Sequence, residues 1–484
     1  MRHITVALFF ECGFRIVKIL IKLYFVYKQC IIDNSEMLER GEVRMKILTF
    51  KGGIHPHDNK AATEKIPIEI LDAPEKLIIP LQQHIGAPCE PLVSVGDEVK
   101  LGQKIAESKA FVSAPVHASV SGKVVAIEPM LHPNGSKVLS IIIENDGKDT
   151  LHESVKPNKD ISQLEPKEII EVVREAGIVG MGGAGFPTHV KLSPPPDKKI
   201  DYVIINGAEC EPYLTSDHRV MLETPEEVIY GLKAIMKVFG LQKGYIAIEE
   251  NKMNAVQVLK EHASKEQGIE IVVLKTKYPQ GAEKQLIKVI AGREVPSGGL
   301  PADVGAIVLN IDTCTSITRA IKTGMPLIRR IVTVSGSAVR EPRNYSVRVG
   351  TPFRVLFEKS GGFTEEPAKI VMGGPMMGIA QFSIDVPVVK GTSGLLAFTK
   401  KEVQLMAEGP CIRCGKCVAA CPMNLLPLYM SAYAIKNDLE QAAKYNVLDC
   451  IECGSCSYVC PAKRHLVQSI RAAKQAIIAQ KQKN

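Results

Sequence analysis

The residues best suited to chemistry are cysteines. The run Cys411-Ile-Arg-Cys414-Gly-Lys-Cys417-Val-Ala-Ala-Cys421-Pro422 recurs as Cys450-Ile-Glu-Cys453-Gly-Ser-Cys456-Ser-Tyr-Val-Cys460-Pro461. Each is CxxCxxCxxxCP. Two-residue gaps let three thiolates wrap one face of an iron–sulfur cubane, while the fourth departs on the following helix to ligate the neighbouring cluster. The spacing predicts two 4Fe-4S clusters, one held by Cys411, Cys414, Cys417 and Cys460 and the other by Cys450, Cys453, Cys456 and Cys421. Zinc also uses CxxC pairs, but with a longer loop between them. Of thirteen cysteines, eight fall between 411 and 460 and the rest are scattered, so they form no disulfide framework and suit a reducing compartment. Cys210, alone in its region, reads as a non-ligand.

A second constellation is Gly177-Ile-Val-Gly-Met-Gly182-Gly183-Ala-Gly185-Phe186-Pro187-Thr188, with five glycines in nine residues after a helical stretch ending near Ala176. Such density lets backbone amides approach an anion closely, as phosphate-cradling nests do. A flexible turn is the plain alternative. The later run Met372-Gly-Gly-Pro-Met-Met-Gly reads as a structural turn, and His55 and His57 as loop residues.

These sites need several scaffolds. A chain of 484 residues makes roughly three or four domains. Hydrophobic residues at 45% and charged residues at 23% suit folded protein, and a net charge of +8, concentrated near the two ends, excludes a nucleic-acid role. The fold class read from the pattern is multidomain α/β and β. Residues 45–150 carry short β runs punctuated by glycine, an all-β unit resembling the barrel sandwich of lipoyl and biotinyl domains, with Lys109 near the position such domains modify. Residues 165–327 alternate strands with helix-length segments, the mark of a Rossmann-like α/β domain. Residues 328–395 return to β runs, a β-grasp-like module of the SLBB type, and 400–484 read as an α-helical ferredoxin-type domain.

Residues 1–44 form an extension. Glu11, Arg15, Lys18 and Lys22 interrupt its apolar stretch at helical spacing, which a spanning helix would not tolerate but an interfacial one would. Met45, opening the strand-like run Lys46 to Phe50, is the expected native start. No segment after it has an apolar run near the ~20 residues that a span needs.

The glycine run resembles the flavin loop of the NADH-oxidising flavoprotein subunit of respiratory complex I. Asn206-Gly-Ala-Glu209-Cys-Glu211-Pro212, Tyr278-Pro-Gln-Gly281-Ala-Glu283 and Asn310 are similar to further segments of that site. With a barrel sandwich in front and two ferredoxin-type clusters behind, the chain from Met45 resembles the C subunit of the Rnf complex, a ferredoxin:NAD oxidoreductase that couples electron transfer to ion movement. The resemblance implies FMN and NAD(H), bound by Gly182, Gly183, Gly185, Phe186, Lys191, Asn206, Glu209, Glu211, Glu283 and Asn310. Within it, the glycine amides would hold the FMN phosphate and ring edge, the two asparagines would hydrogen-bond the flavin, and Phe186 would stack near the nicotinamide. Lys191 would meet ribose or phosphate, and Glu283 the nucleotide. The sequence departs from the complex I pattern at Met181, where a basic residue is common, and at Ala282 and Leu309.

The same resemblance implies integral membrane and iron–sulfur subunits as partners, ferredoxin reached indirectly, and a peripheral place on the cytoplasmic face of the cell membrane. Two alternatives share the architecture. One is a cobalamin reductase of the microcompartment type. The other is a non-catalytic iron–sulfur relay whose glycine loop no longer holds flavin.

Overall fold

The computed structural model describes residues 47–403 and 407–483, so the extension 1–44 lies outside the described residues. From Ile47 the described residues run as a strap. The run around Leu48 makes one parallel bridge to Leu274, after which Gly53 N donates to Ala420 O at 2.9 Å and Ile54 bridges Tyr278. The strap ends as β1 (Ile68–Ile70), paired with a strand nearly three hundred residues away.

Seven strands then form the β unit: β2 (Lys76–Pro80), β3 (Glu90–Pro91), β4 (Glu98–Val99), β5 (Lys104–Glu107), β6 (Val116–His117), β7 (Gly122–Leu131) and β8 (Lys137–Asn145). They make two small antiparallel sheets, β2-β8-β7-β4 and β3-β5-β6. Alternate residues, among them Leu77, Ile79, Ile105, Val124, Ile141 and Ile143, point inward and are fully buried. Lys109 is exposed on the loop that follows β5.

The α/β domain is a parallel sheet of β9 (Tyr202–Gly207), β10 (Gly244–Glu249), β11 (Ile269–Leu274) and β12 (Ala306–Asn310), in the order β11-β10-β9-β12. Its strands read as continuous apolar runs because both faces are covered. Val203, Ile205, Ile246, Ile307 and Leu309 face the helices Pro225–Val238, Met253–Ala263 and Ile311–Thr323. Ile204, Ala247, Leu274 and Val308 face the helix Glu283–Ala291.

The third sheet has six strands in the order β1-β14-β13-β17-β15-β16, with β13 (Arg329–Ser335), β14 (Arg343–Arg348), β15 (Lys369–Met372), β16 (Ile379–Gln381) and β17 (Gly394–Phe398). It packs the helix Phe353–Lys359 on a core of Val332, Val334, Tyr345 and Val347. The last domain is helical and closes with Leu466–Lys483 over Met430, Ala442 and Val447. Among the described residues no helix is long and apolar enough to cross a membrane.

Buried lysines tie these parts together. Lys60, from the strap, donates to Glu211 O at 2.8 Å and to Leu214 O. Lys390 donates to Pro115 O at 2.6 Å and Gly177 O at 2.7 Å, joining the β unit, the glycine segment and the third sheet. Gly177 takes φ +62°, and a Cβ there would stand 2.2 Å from Pro115 O. Gly177→Ala should therefore lower the urea midpoint, with a loss of about 2–4 kcal/mol from backbone strain plus overlap.

Candidate functional site

Asn206 and Asn310 are register partners at the carboxyl ends of β9 and β12. Strand order reverses between these two strands, which is where open α/β sheets bind ligands. The glycine loop folds over this point. Gly180 N donates to Phe186 O at 2.8 Å and Met181 N to Thr313 Oγ1 at 3.0 Å, closing the loop against the helix that follows β12. A Cβ on Gly182 would stand 3.0 Å from Asn310 Nδ2, and one on Gly183 would meet nothing within 4 Å. Gly185 takes φ +68°, a left-handed turn that suits glycine. Gly182 and Gly183 are exposed, and their amides donate to no acceptor among the described residues. Two exposed amides, one of them beside open space, fit a flavin phosphate or ring edge.

The side chains around this crevice are already oriented. Asn206 Nδ2 donates to Gly281 O at 2.8 Å while its Oδ1 accepts from Ala208 N at 3.0 Å. Asn310 Oδ1 caps the helix Ile311–Thr323 through Asp312 N at 2.8 Å, and its Nδ2 donates to Asp217 Oδ2 at 2.6 Å. Lys191 pairs with Glu283 at 2.6 Å and donates to Val308 O at 2.8 Å. That pair is partly exposed and so contributes little stability. Phe186 is half-buried.

Gly182, Lys191, Asn206, Glu283 and Asn310 thus gather near the carboxyl ends of β9 and β12, while Glu209 and Glu211, which the resemblance assigns to the cofactor, bond other parts of the protein. Glu209 is buried at the start of the helix Ser216–Glu223, accepting from Asp217 N at 2.9 Å and Ser216 Oγ at 3.2 Å. Glu211 reaches the third sheet, where it accepts from Met376 N at 3.0 Å and Met377 N at 2.9 Å. Burial pushes its carboxyl up to about 7.

Sequence reading missed the charges beneath the crevice. Arg330 is fully buried, pairs with Asp312 and also meets the Met181 sulfur. A cation therefore stands behind the loop where Met181 itself carries none. Asp217 faces Asn310, and burial, followed by the Glu209 and Asp312 carboxylates, raises its pKa well above the carboxylate range. Gln280 is fully buried with both side-chain polar atoms unpaired. No local motif marks these residues, because their partners come from distant elements.

The cysteines gather in two recesses. Cys411, Cys414, Cys417 and Cys460 line one, and Cys421, Cys450, Cys453 and Cys456 line the other. Corresponding left-handed residues bend the two loops: Arg413 and Gly415 in the first, Glu452 and Gly454 in the second, then Asn424 and Lys463 after them. Backbone amides turn toward sulfur, Leu425 N to Cys421 Sγ at 3.3 Å and Glu452 N to Cys450 Sγ at 3.4 Å. Burial pushes the Cys450 thiol up to about 11 and the Cys456 thiol up to about 12. Thiolates in so dry a recess need a cationic metal group, and the donor set fits an iron–sulfur cluster. Among the described residues no three His, Cys, Asp or Glu converge tightly enough for a single ion.

The two recesses differ in setting. Cys411 and Cys414 are exposed, whereas Cys421, Cys453 and Cys456 are buried. The inner recess abuts the α/β domain: Tyr278 OH donates to Cys453 O at 2.7 Å, and Gln285 Nε2 to Pro422 O at 3.0 Å. Cys210 sits in the same apolar seam, its thiol pushed up to about 12 by burial.

Known families and proteins resemble this chain over most of its length. Residues 48–148 match the RnfC barrel sandwich hybrid domain, 173–319 the Nuo51 FMN-binding domain, 331–380 the SLBB domain and 405–461 the 4Fe-4S dicluster domain. The chain is similar to the C subunit of the Na(+)-translocating ferredoxin:NAD(+) oxidoreductase complex of Acetobacterium woodii, 51% identical over 90% of this chain and 98% of that one. It is also similar to the proton-translocating counterpart of Clostridium ljungdahlii, 55% identical over 88% of this chain and 93% of that one. The C subunit of the ion-translocating oxidoreductase complex of Rhodobacter capsulatus is 44% identical over 89% of this chain and 83% of its own.

Two consequences of the buried charges can be measured. Arg330→Met strands the Asp312 carboxylate and should cost about 3–5 kcal/mol in denaturant unfolding. Asp217 has a folded pKa above its unfolded value, so its stabilising contribution is present at low pH and lost as pH rises through the folded pKa. Asp217→Asn keeps the shape without a proton to lose. Its melting temperature should pull ahead of the wild type as pH rises above about 4, and parallel melting curves across pH would refute the assignment.

Proposed function

The chain belongs to the family of C subunits of ion-translocating ferredoxin:NAD(+) oxidoreductase complexes, and on that basis we propose that it exchanges electrons between a nicotinamide nucleotide and the iron–sulfur centres of such a complex. It is an oxidoreductase subunit built on an FMN-binding domain and a 4Fe-4S dicluster domain. One observation carries the finer reading: the loop Tyr278–Gly281 touches both sites. Tyr278 OH bonds Cys453 O at 2.7 Å, and Gly281 O receives Asn206 Nδ2 at 2.8 Å.

FMN, when bound, supplies the exchange between two-electron hydride chemistry and one-electron transfer. The chain's own residues bind and orient. Gly182 and Gly183 offer amides to the flavin, Asn206 and Asn310 fix the strand ends at its edge through their own contacts to Gly281, Ala208, Asp217 and Asp312, and Lys191 with Glu283 meets the nucleotide. Cys421, Cys450, Cys453 and Cys456 hold the flavin-proximal cluster, and Cys411, Cys414, Cys417 and Cys460 the distal one. The exposure of Cys411 and Cys414 supports a hand-over there to another iron–sulfur subunit. No side chain need act as general acid or nucleophile. The protein sits peripherally on the cytoplasmic face of the membrane, held by integral partner subunits, with ferredoxin reached through them.

Anaerobic reconstitution of the full chain with iron, sulfide and FMN, followed by NADH, tests the reading. Flavin and cluster absorbance should bleach together. Clusters that form while NADH leaves the flavin oxidised would overturn it in favour of a relay. The order of the two centres has its own test: in Cys414→Ser the proximal cluster should still be reduced by NADH, whereas in Cys453→Ser the distal cluster should lose most of its NADH-dependent reduction.

A further inference from the structure

The geometry points to Glu211 and the Met372–Gly378 turn as a positioning device for the inner cysteine recess, which sets how much water reaches the cluster there, and not as part of the nucleotide site. This rests on the reading that Cys421, Cys450, Cys453 and Cys456 hold a cluster.

Both oxygens of the Glu211 carboxylate are taken by amides of the turn, Oε2 by Met376 N at 3.0 Å and Oε1 by Met377 N at 2.9 Å. The turn is shaped to admit it. A Cβ on Gly374 would stand 2.1 Å from Glu211 Oε2, and Gly378 N closes the turn on Gly374 O at 2.8 Å. Glu211 is also anchored through its backbone, because Lys60 Nζ donates to its carbonyl at 2.8 Å. A carboxyl group pinned by two amides and anchored through its own backbone carbonyl behaves as a strut.

The strut ends at the inner recess. Met376 packs into the apolar seam with Ile54, Tyr278 and Cys453. A Cβ on Gly454, which takes φ +78°, would stand 3.2 Å from Met376 O and 3.6 Å from Met376 Cε. The Cys453–Gly454 backbone is therefore gripped from two domains, by the Tyr278 phenol and by the turn that Glu211 holds. Cys411 and Cys414 of the outer recess are exposed instead.

Solvent access is one of the main determinants of cluster potential. Water stabilises the more highly charged reduced cluster, so uncovering the inner recess makes its cluster easier to reduce. The expected result in redox titration of the reconstituted full chain, followed by electron paramagnetic resonance, concerns one of the two cluster waves. In Glu211→Ala and in Met376→Ala its reduced-to-oxidised ratio at fixed potential rises by about threefold or more, while the other wave stays put. Glu211→Gln keeps one acceptor oxygen and should fall between wild type and alanine. Met376→Ala leaves the Glu211 carboxylate and the turn amides intact, so it tests the cover even where loss of the strut disturbs folding. Potentials of both clusters unchanged in both alanine variants would overturn the proposal, as would an equal shift of both. A reconstituted wild-type chain that shows one cluster wave instead of two would refute the reading on which it rests.

Discussion

The hydrogen bond from the buried Tyr278 phenol to Cys453 O at 2.7 Å is the contact on which the redox architecture depends. Electron transfer between two bound groups falls off steeply with their separation, so the domains carrying them must be held at one spacing. A single polar contact is worth only about 1 kcal/mol net, too little to lock two domains. It is reinforced on all sides: Gly53 reaches Ala420, Gln285 reaches Pro422, and Ile54 fills the seam between them. The strap makes this possible, because residues that open the described chain return to brace its last domain.

Buried lysines and an arginine join elements that are far apart in the chain. Lys60 and Lys390 spend their ammonium protons on carbonyls of other domains, and Lys252 pairs with Glu249 at 3.1 Å, both fully enclosed. Desolvating such groups costs several kcal/mol each unless every proton finds an acceptor. Arg330 is held likewise beneath the glycine loop, where Asp312 and the Met181 sulfur leave the guanidinium a single seat.

Much of this was legible in the sequence, and the boundary of legibility has a physical cause. The cysteine runs, the glycine loop and the alternating strands of the β unit each declare themselves within about a dozen residues, since backbone geometry links neighbours along the chain. Asn206 and Asn310 emerge at strand ends that register side by side. What the sequence hid was partnership at a distance. Glu209 and Glu211 look alike, two residues apart, yet one caps a helix and the other crosses to a turn of another sheet. Asp217 is an ordinary first-turn residue until Asn310 is folded against it. β1 belongs to a sheet whose other strands begin at Arg329.

The two cysteine loops repeat their left-handed residues at corresponding positions, Arg413 with Glu452 and Gly415 with Gly454. Each sends its last cysteine into the recess of the other. Neither loop is complete alone. The two recesses are therefore interlocked: a disturbance of either loop reaches both, although one loop is sunk against a neighbouring domain while its twin keeps an open face.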